Sequence, residues 1–155
     1  MSATVLYMSL SVDGFIAGPN EGPGNGLGDG GLRLHEWLMP GGDHHDGVPI
    51  FILTRHPDDL RQWPLVTYVN DVTSAMTQAK EAAGDKNVLV HGAGTAQLAL
   101  AAGVLDEIEL HVIPVLFGQG RRLFEGLAPE QIELERIRIL EGEKGVTHVH
   151  YRVER

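Results

Sequence analysis

Residues 87–103 read Asn-Val-Leu-Val-His-Gly-Ala-Gly-Thr-Ala-Gln-Leu-Ala-Leu-Ala-Ala-Gly, and they constrain the fold more than any other stretch. Val88, Leu89 and Val90 form a short apolar run suited to a buried strand. His91, Gly92, Ala93 and Gly94 then turn the chain. Thr95 can cap a helix that carries Leu98, Leu100 and several alanines and stops at Gly103. A strand, a glycine turn and a helix N-terminus suit a phosphate, because glycine lets the backbone come close and the first amides and the dipole favour an anion. An ordinary tight strand-to-helix turn has the same pattern, and one glycine-rich turn does not separate the two.

Composition narrows the class. The chain has 155 residues, enough for one domain with a sizeable core. Its net charge of -9 and lack of a basic run argue against a nucleic-acid surface. It has no cysteine, which excludes disulfides and thiolate metal sites. No apolar run approaches ~20 residues, and the N-terminus has no signal-peptide pattern. The expected location is cytoplasmic, with no membrane partner.

From the start of the chain, residues 5–12 read as a strand apolar on both faces, as in the middle of a covered sheet. Asp13 follows where that strand runs out, a common place for ligand contacts in α/β sheets, though also for a turn residue or helix cap. Residues 14–31 are a glycine-rich loop with little to pack, of the kind that forms lids and binding loops. Residues 32–38 suggest a short helix with Leu34, Trp37 and Leu38 on one side. His44 and His45 lie between Asp43 and Asp46. Adjacent histidines in a loop rarely reach one ion, so a solvated loop is expected there and no metal.

Residues 48–53 read as a strand running into Thr54, Arg55 and His56. A hydroxyl, a guanidinium and an imidazole suit a phosphate at a strand end. Residues 65–69 form a further strand, and Asp71 caps a helix over Val72–Ala83, where Val72, Ala75, Met76 and Ala79 make a 3.6-residue stripe. Residues 107–117 read as one long strand, with an edge, bulge or kink expected at Pro114. Gly118-Gln119-Gly120 makes a second glycine turn. Residues 132–140 and 146–153 alternate and read as an antiparallel hairpin. The whole is a single α/β domain with a mixed sheet.

Three segments carry a family resemblance: Ser11 to Pro19 (Ser-Val-Asp-Gly-Phe-Ile-Ala-Gly-Pro), Val90 to Thr95 (Val-His-Gly-Ala-Gly-Thr), and Pro114 to Phe124 (Pro-Val-Leu-Phe-Gly-Gln-Gly-Arg-Arg-Leu-Phe). In this order they resemble the dihydrofolate reductase-like proteins related to the reductase domain of the bifunctional riboflavin-pathway deaminase-reductase. The resemblance implies a three-layer α/β/α fold with a mixed, mostly parallel sheet. It implies NADPH as hydride donor to a small heterocycle, carbonyl or imine, and a homodimer. It places the pyrophosphate on His91, Gly92, Ala93, Gly94, Thr95 and Ala96, and the adenosine 2'-phosphate at Thr54, Arg55 and His56. Ile16, Ala17 and Gly18 fall in the loop over the nicotinamide, Leu116 and Gly118 in a further cofactor-binding motif, and Asp13 at the reacting end, to orient substrate or relay a proton.

Two departures qualify this. Leu34 stands where true dihydrofolate reductases carry the pterin-binding carboxylate, which argues against folate reduction. Between Pro40 and Val48 the family has a helix, a strand and a cofactor-binding turn that are missing here. In the family fold that strand lies between the strands at 48–53 and 87–90. Either the sheet closes up and those two strands pair, or a segment belonging near 40–47 is missing from these 155 residues. A binding or scaffold protein without turnover is the alternative function. A Rossmann dehydrogenase fits less well, since Gln97 stands where its fingerprint needs a third glycine.

Overall fold

A computed structural model of the chain describes residues 2–38, 49–54 and 65–154. Its main sheet has five strands in the order β5-β1-β6-β9-β8. These are β1 (Thr4–Ser11), β5 (Val88–Val90), β6 (Glu107–Ile113), β8 (Leu134–Glu141) and β9 (Thr147–Val153). β5, β1 and β6 are parallel, and β6, β9 and β8 are antiparallel. The C-terminal hairpin expected from alternation is therefore the β8–β9 pair. A second sheet holds β3 (Ile50–Leu53) parallel to β4 (Val66–Val69). Two short strands, β2 (Phe15–Ala17) and β7 (Arg121–Arg122), pair antiparallel.

Side-chain alternation sends the two faces of β1 and β6 to different partners. Leu6, Leu10 and Ile108 point into a core shared with α1 (Val72–Ala83) and α2 (Ala93–Ala101), represented by Met76, Ala93, Ala96 and Ala99. Leu6 is 0% exposed and Ile108 2%, and burying each such side chain is worth about 1.5–3 kcal/mol. On the other face Ile113 packs with Leu34 and Val146, and Trp37 and Phe117 lean on them. Leu34 and Trp37 belong to a 3-10 helix, Gly31–Leu38. The layers are thus helices, sheet and 3-10 helix.

Local signals account for α1. The Asp71 side chain accepts a bond from the Ser74 amide at 2.8 Å, and Gly84 (φ 62°) ends the helix, with its amide donating to the Lys80 carbonyl.

Three expectations need correction. Thr95 does not cap α2: the helix starts at Ala93, and its N-cap is Gly92 (φ 93°) without a side-chain bond. Glycine adopts that positive φ without the Cβ penalty, so the turn can be shorter than a threonine cap would make it. β6 stops at Ile113 rather than running to 117, because Pro114 has no amide for the ladder. The 14–31 loop is not loosely packed. Asn20 and Asn25 donate to the Asp29 carboxylate at 2.7 and 3.0 Å, the Asp29 amide donates to Pro19, and the Gly18 amide donates to Leu27. Gly18 and Gly28 cross there so closely that a side chain on either would strike backbone. Of the two alternatives for the central strand, direct pairing of the flanking strands is not seen: among the described residues β3 pairs with β4, and β5 pairs with β1. The stretch 40–47, near which a segment was expected to be either deleted or missing from these 155 residues, lies outside the described residues. So do Arg55, His56 and the histidine pair at 44 and 45. Among the described residues no helix is long and apolar enough to cross a membrane, and no group of His, Asp or Glu could hold a metal ion.

Candidate active site

The start of α2 opens onto a cleft of about 650 Å³. Gly92, Ala93, Gly94 and Thr95 form one wall, Leu53 and Thr54 at the end of β3 another, and Asn70, Asp71 and Val72 at the start of α1 a third. Ile16, Glu21 and Arg121 cover it from the loop side. A helix start leaves its first amides without intrahelical partners, and no side chain caps α2. The Gly92 amide is taken, donating to Met8 Sδ at 3.3 Å; the amides that follow it and the dipole make the wall attractive to an anion.

Of the residues singled out in the sequence, Ile16, Thr54, Gly92, Ala93, Gly94 and Thr95 meet in this cleft. His91 and Ala96 do not line it. His91 is exposed with its ring 6.1 Å from that of Tyr7, and Ala96 is wholly buried in the core. Ala17 and Gly18 are buried in the loop behind. Leu116 is 71% exposed and outside the lining, as is Gly118. Sequence reasoning missed Glu21, Asn70 and Arg121. Arg121 had a signal, since it follows a glycine turn directly; Glu21 had none.

Asp13 sits apart from the cleft lining, at the end of β1. Its carboxylate accepts from the Ser11 hydroxyl at 2.5 Å and from the amides of Phe117 and Gly118 at 3.1 and 2.8 Å. The Ser11 hydroxyl, then these amides, hold its pKa down at about 2. Around it, the Val12 amide donates to Val115 and the Leu123 amide to Gly14. Arg122 stacks 4.6 Å over the Phe15 ring. Asp13 thus ties the end of β1 to the turn at 117–118.

Under the 3-10 helix, His111 (3% exposed) and His148 approach through their Nδ1 atoms at 2.6 Å, so one must carry the proton there and the other accept it. Trp37 packs on both rings and donates Nε1–H to Ser9 at 3.0 Å. Burial first, then neighbouring His148, pushes the His111 pKa down to about 4.

A family profile described as the RibD C-terminal domain matches residues 44–148, more than half of the chain. The chain belongs to the RibD C-terminal domain family. Solved structures agree on the fold. A Shewanella sp. PV-4 protein, described as a candidate riboflavin biosynthesis protein, is 19% identical with a TM-score of 0.68, and 99% of each chain is covered. The Saccharomyces riboflavin biosynthesis reductase Rib7 is 15% identical, TM-score 0.60, with 99% of this chain and 89% of that one covered. The Thermotoga maritima diaminohydroxyphosphoribosylaminopyrimidine deaminase/5-amino-6-(5-phosphoribosylamino)uracil reductase is 15% identical, TM-score 0.61; 99% of this chain matches 57% of that one. A search of curated proteins found no match to this chain.

Proposed function

We propose that this protein is an NADPH-dependent reductase of a small heterocyclic, carbonyl or imine substrate. The observation that carries the reading is the cleft at the start of α2, where Gly92–Thr95, Thr54, Ile16 and Arg121 converge. Its donor set fits a dinucleotide: backbone amides for the pyrophosphate, a hydroxyl at the end of β3 and an apolar side chain at Ile16. Family membership adds support, since two of the similar structures are named as reductases. When bound, the cofactor supplies the hydride, and the protein supplies position and electrostatics. Asp13, with three donors on its carboxylate and a pKa of about 2, suits orienting the reacting end better than relaying a proton.

Titrating the protein with NADPH and following cofactor fluorescence tests the binding step. NADPH oxidation across a panel of small carbonyl and flavin-precursor compounds tests turnover. Arg55→Ala should weaken NADPH much more than NADH if Arg55 reads the 2'-phosphate; equal weakening removes that role. A second reading, a binding or scaffold protein without turnover, is favoured by the separation of β3–β4 from β5 among the described residues. NADPH binding with no oxidation on any substrate would move the balance to it.

We also propose that the protein acts as a homodimer through β8. Every residue of this edge strand is exposed, Ile139 and Leu140 at 52% and 49%, and an exposed apolar edge invites a second chain. Light scattering at micromolar concentration should show a dimer, and a monomer would remove this proposal.

A further inference from the structure

Arg121 and Glu21 face each other inside the cleft. Arg121 Nη1 lies 3.3 Å from Glu21 Oε1, although 100 residues separate them in the chain. Among the described lining residues Arg121 is the only cation. Its guanidinium comes within 3.8 Å of where a Gly94 side chain would begin, so it stands over the first turn of α2.

Backbone packing fixes both partners. Gly120 (φ 133°) lies against Ala17 and Gly18 so tightly that a side chain would collide with the Ala17 carbonyl. That contact and the pairing of Arg121 with Ala17 set the direction of Arg121. Glu21 is carried by the loop knitted around Asp29, where Gly22 and Asn25 exchange two backbone bonds just beyond it.

We propose that Arg121 is a ligand for the cofactor pyrophosphate and that Glu21 holds its place until the anion arrives. This rests on the cofactor reading above. Both side chains are half-open to water, 51% and 33% exposed, and an ion pair in that setting is weak. A phosphate offers the guanidinium two parallel hydrogen bonds and more charge than one carboxylate, next to helix amides that already favour an anion. Exchange of Glu21 for phosphate is therefore downhill. Glu21 left in the cleft also repels the incoming charge, so it sets how tightly the anion is held.

Calorimetric titration with NADPH, NADH and inorganic pyrophosphate tests this. Arg121→Gln should weaken all three, by roughly ten- to a hundred-fold, because all carry the pyrophosphate. Arg121→Lys should recover part of the loss, since it keeps the charge but not the fork. Glu21→Gln should tighten all three, and should gain nothing when Arg121 is already Gln. Wild-type affinity in Arg121→Gln overturns the proposal while leaving the cofactor reading intact. Tightening by Glu21→Gln in the Arg121→Gln background overturns the exchange, because Glu21 would then act without Arg121. Wild-type protein that binds neither dinucleotide overturns the cofactor reading and this proposal together. Circular dichroism of the folded variants guards against loss of structure as a cause.

Discussion

The five-stranded sheet and the β3–β4 pair are built from similar residues but held in different ways. β1 is buried along most of its length, bonded on both edges by β5 and β6, and covered on both faces. β3 has the comparable sequence Ile-Phe-Ile-Leu, yet none of its residues is buried, and Ile52 is 38% exposed. Its described ladder is on one side only, to β4. α1 packs against β3, β4 and β5, and its Met76 lies in the main core. An apolar strand sequence therefore does not guarantee a core strand; a second neighbour and a cover are also needed. The cleft lies where the two regions meet, with Thr54 from one and Gly92–Thr95 from the other.

The buried strand β1 should be the most sensitive to truncation. Leu6→Ala should cost about 2–5 kcal/mol, because it empties a fully buried site. Urea unfolding would show it as a lower midpoint. Amide hydrogen exchange on the wild type should then place β1 and β6 in the slowest group, with β3 and β4 opening earlier. Equal protection in both would mean that α1 joins them into one cooperative unit.

Acid should strike the five-stranded sheet next. The folded pKa of His111, about 4, lies below the ordinary 6.5. The unfolded chain therefore binds a proton that the folded chain refuses. Stability is full above about pH 6.5 and falls as pH drops from there toward about 4. Thermal melts followed by tryptophan fluorescence across that window should show the fall, and His111→Gln should flatten it. Asp13 acts lower down: its depressed pKa lends stability above the ordinary 3.8 that is lost as pH falls toward about 2. The two windows adjoin with little overlap, so a melt series can separate them.

The bridge between the regions should be less costly to weaken. Asp71→Ala removes the α1 cap and should cost about 1 kcal/mol. If the comparison holds, exchange in β3 and β4 should rise more than in β1. The smallest effect is expected from Ile52→Ala in β3, below that of Leu6→Ala because the side chain is already partly in water. A loss as large as at Leu6 would show that β3 is buried in solution by something outside the described residues.

Much of this was legible in the sequence where the cause is local. The bounds of α1 follow from an aspartate cap, an apolar stripe and a glycine stop, all within its own span. The hairpin β8–β9 followed from alternation. α2 was legible in kind but not in its start, because a threonine cap and a glycine turn compete for the same few residues and backbone geometry decides between them. Asp13 was visible as a residue at a strand end. Its partners were not, since the amides of Phe117 and Gly118 lie more than 100 residues away.

Residue types in sequence were enough for the alternation of strands and helices, the glycine turn before α2, the resemblance of three separated motifs to one family and an irregularity at Pro114, though not for the stop of β6 at Ile113. Each depends on residue type and on neighbours a few positions away. Packing over the whole fold decided which strands became neighbours, why β3 among the described residues pairs with β4 and not β5, and how His111 meets His148 and Arg121 meets Glu21. Periodicity reports that a side chain is buried or exposed, not against what. A partner distant in sequence is chosen by packing and backbone hydrogen bonding over the whole sheet, and a short apolar strand is compatible with several neighbours until the rest of the chain has taken its place.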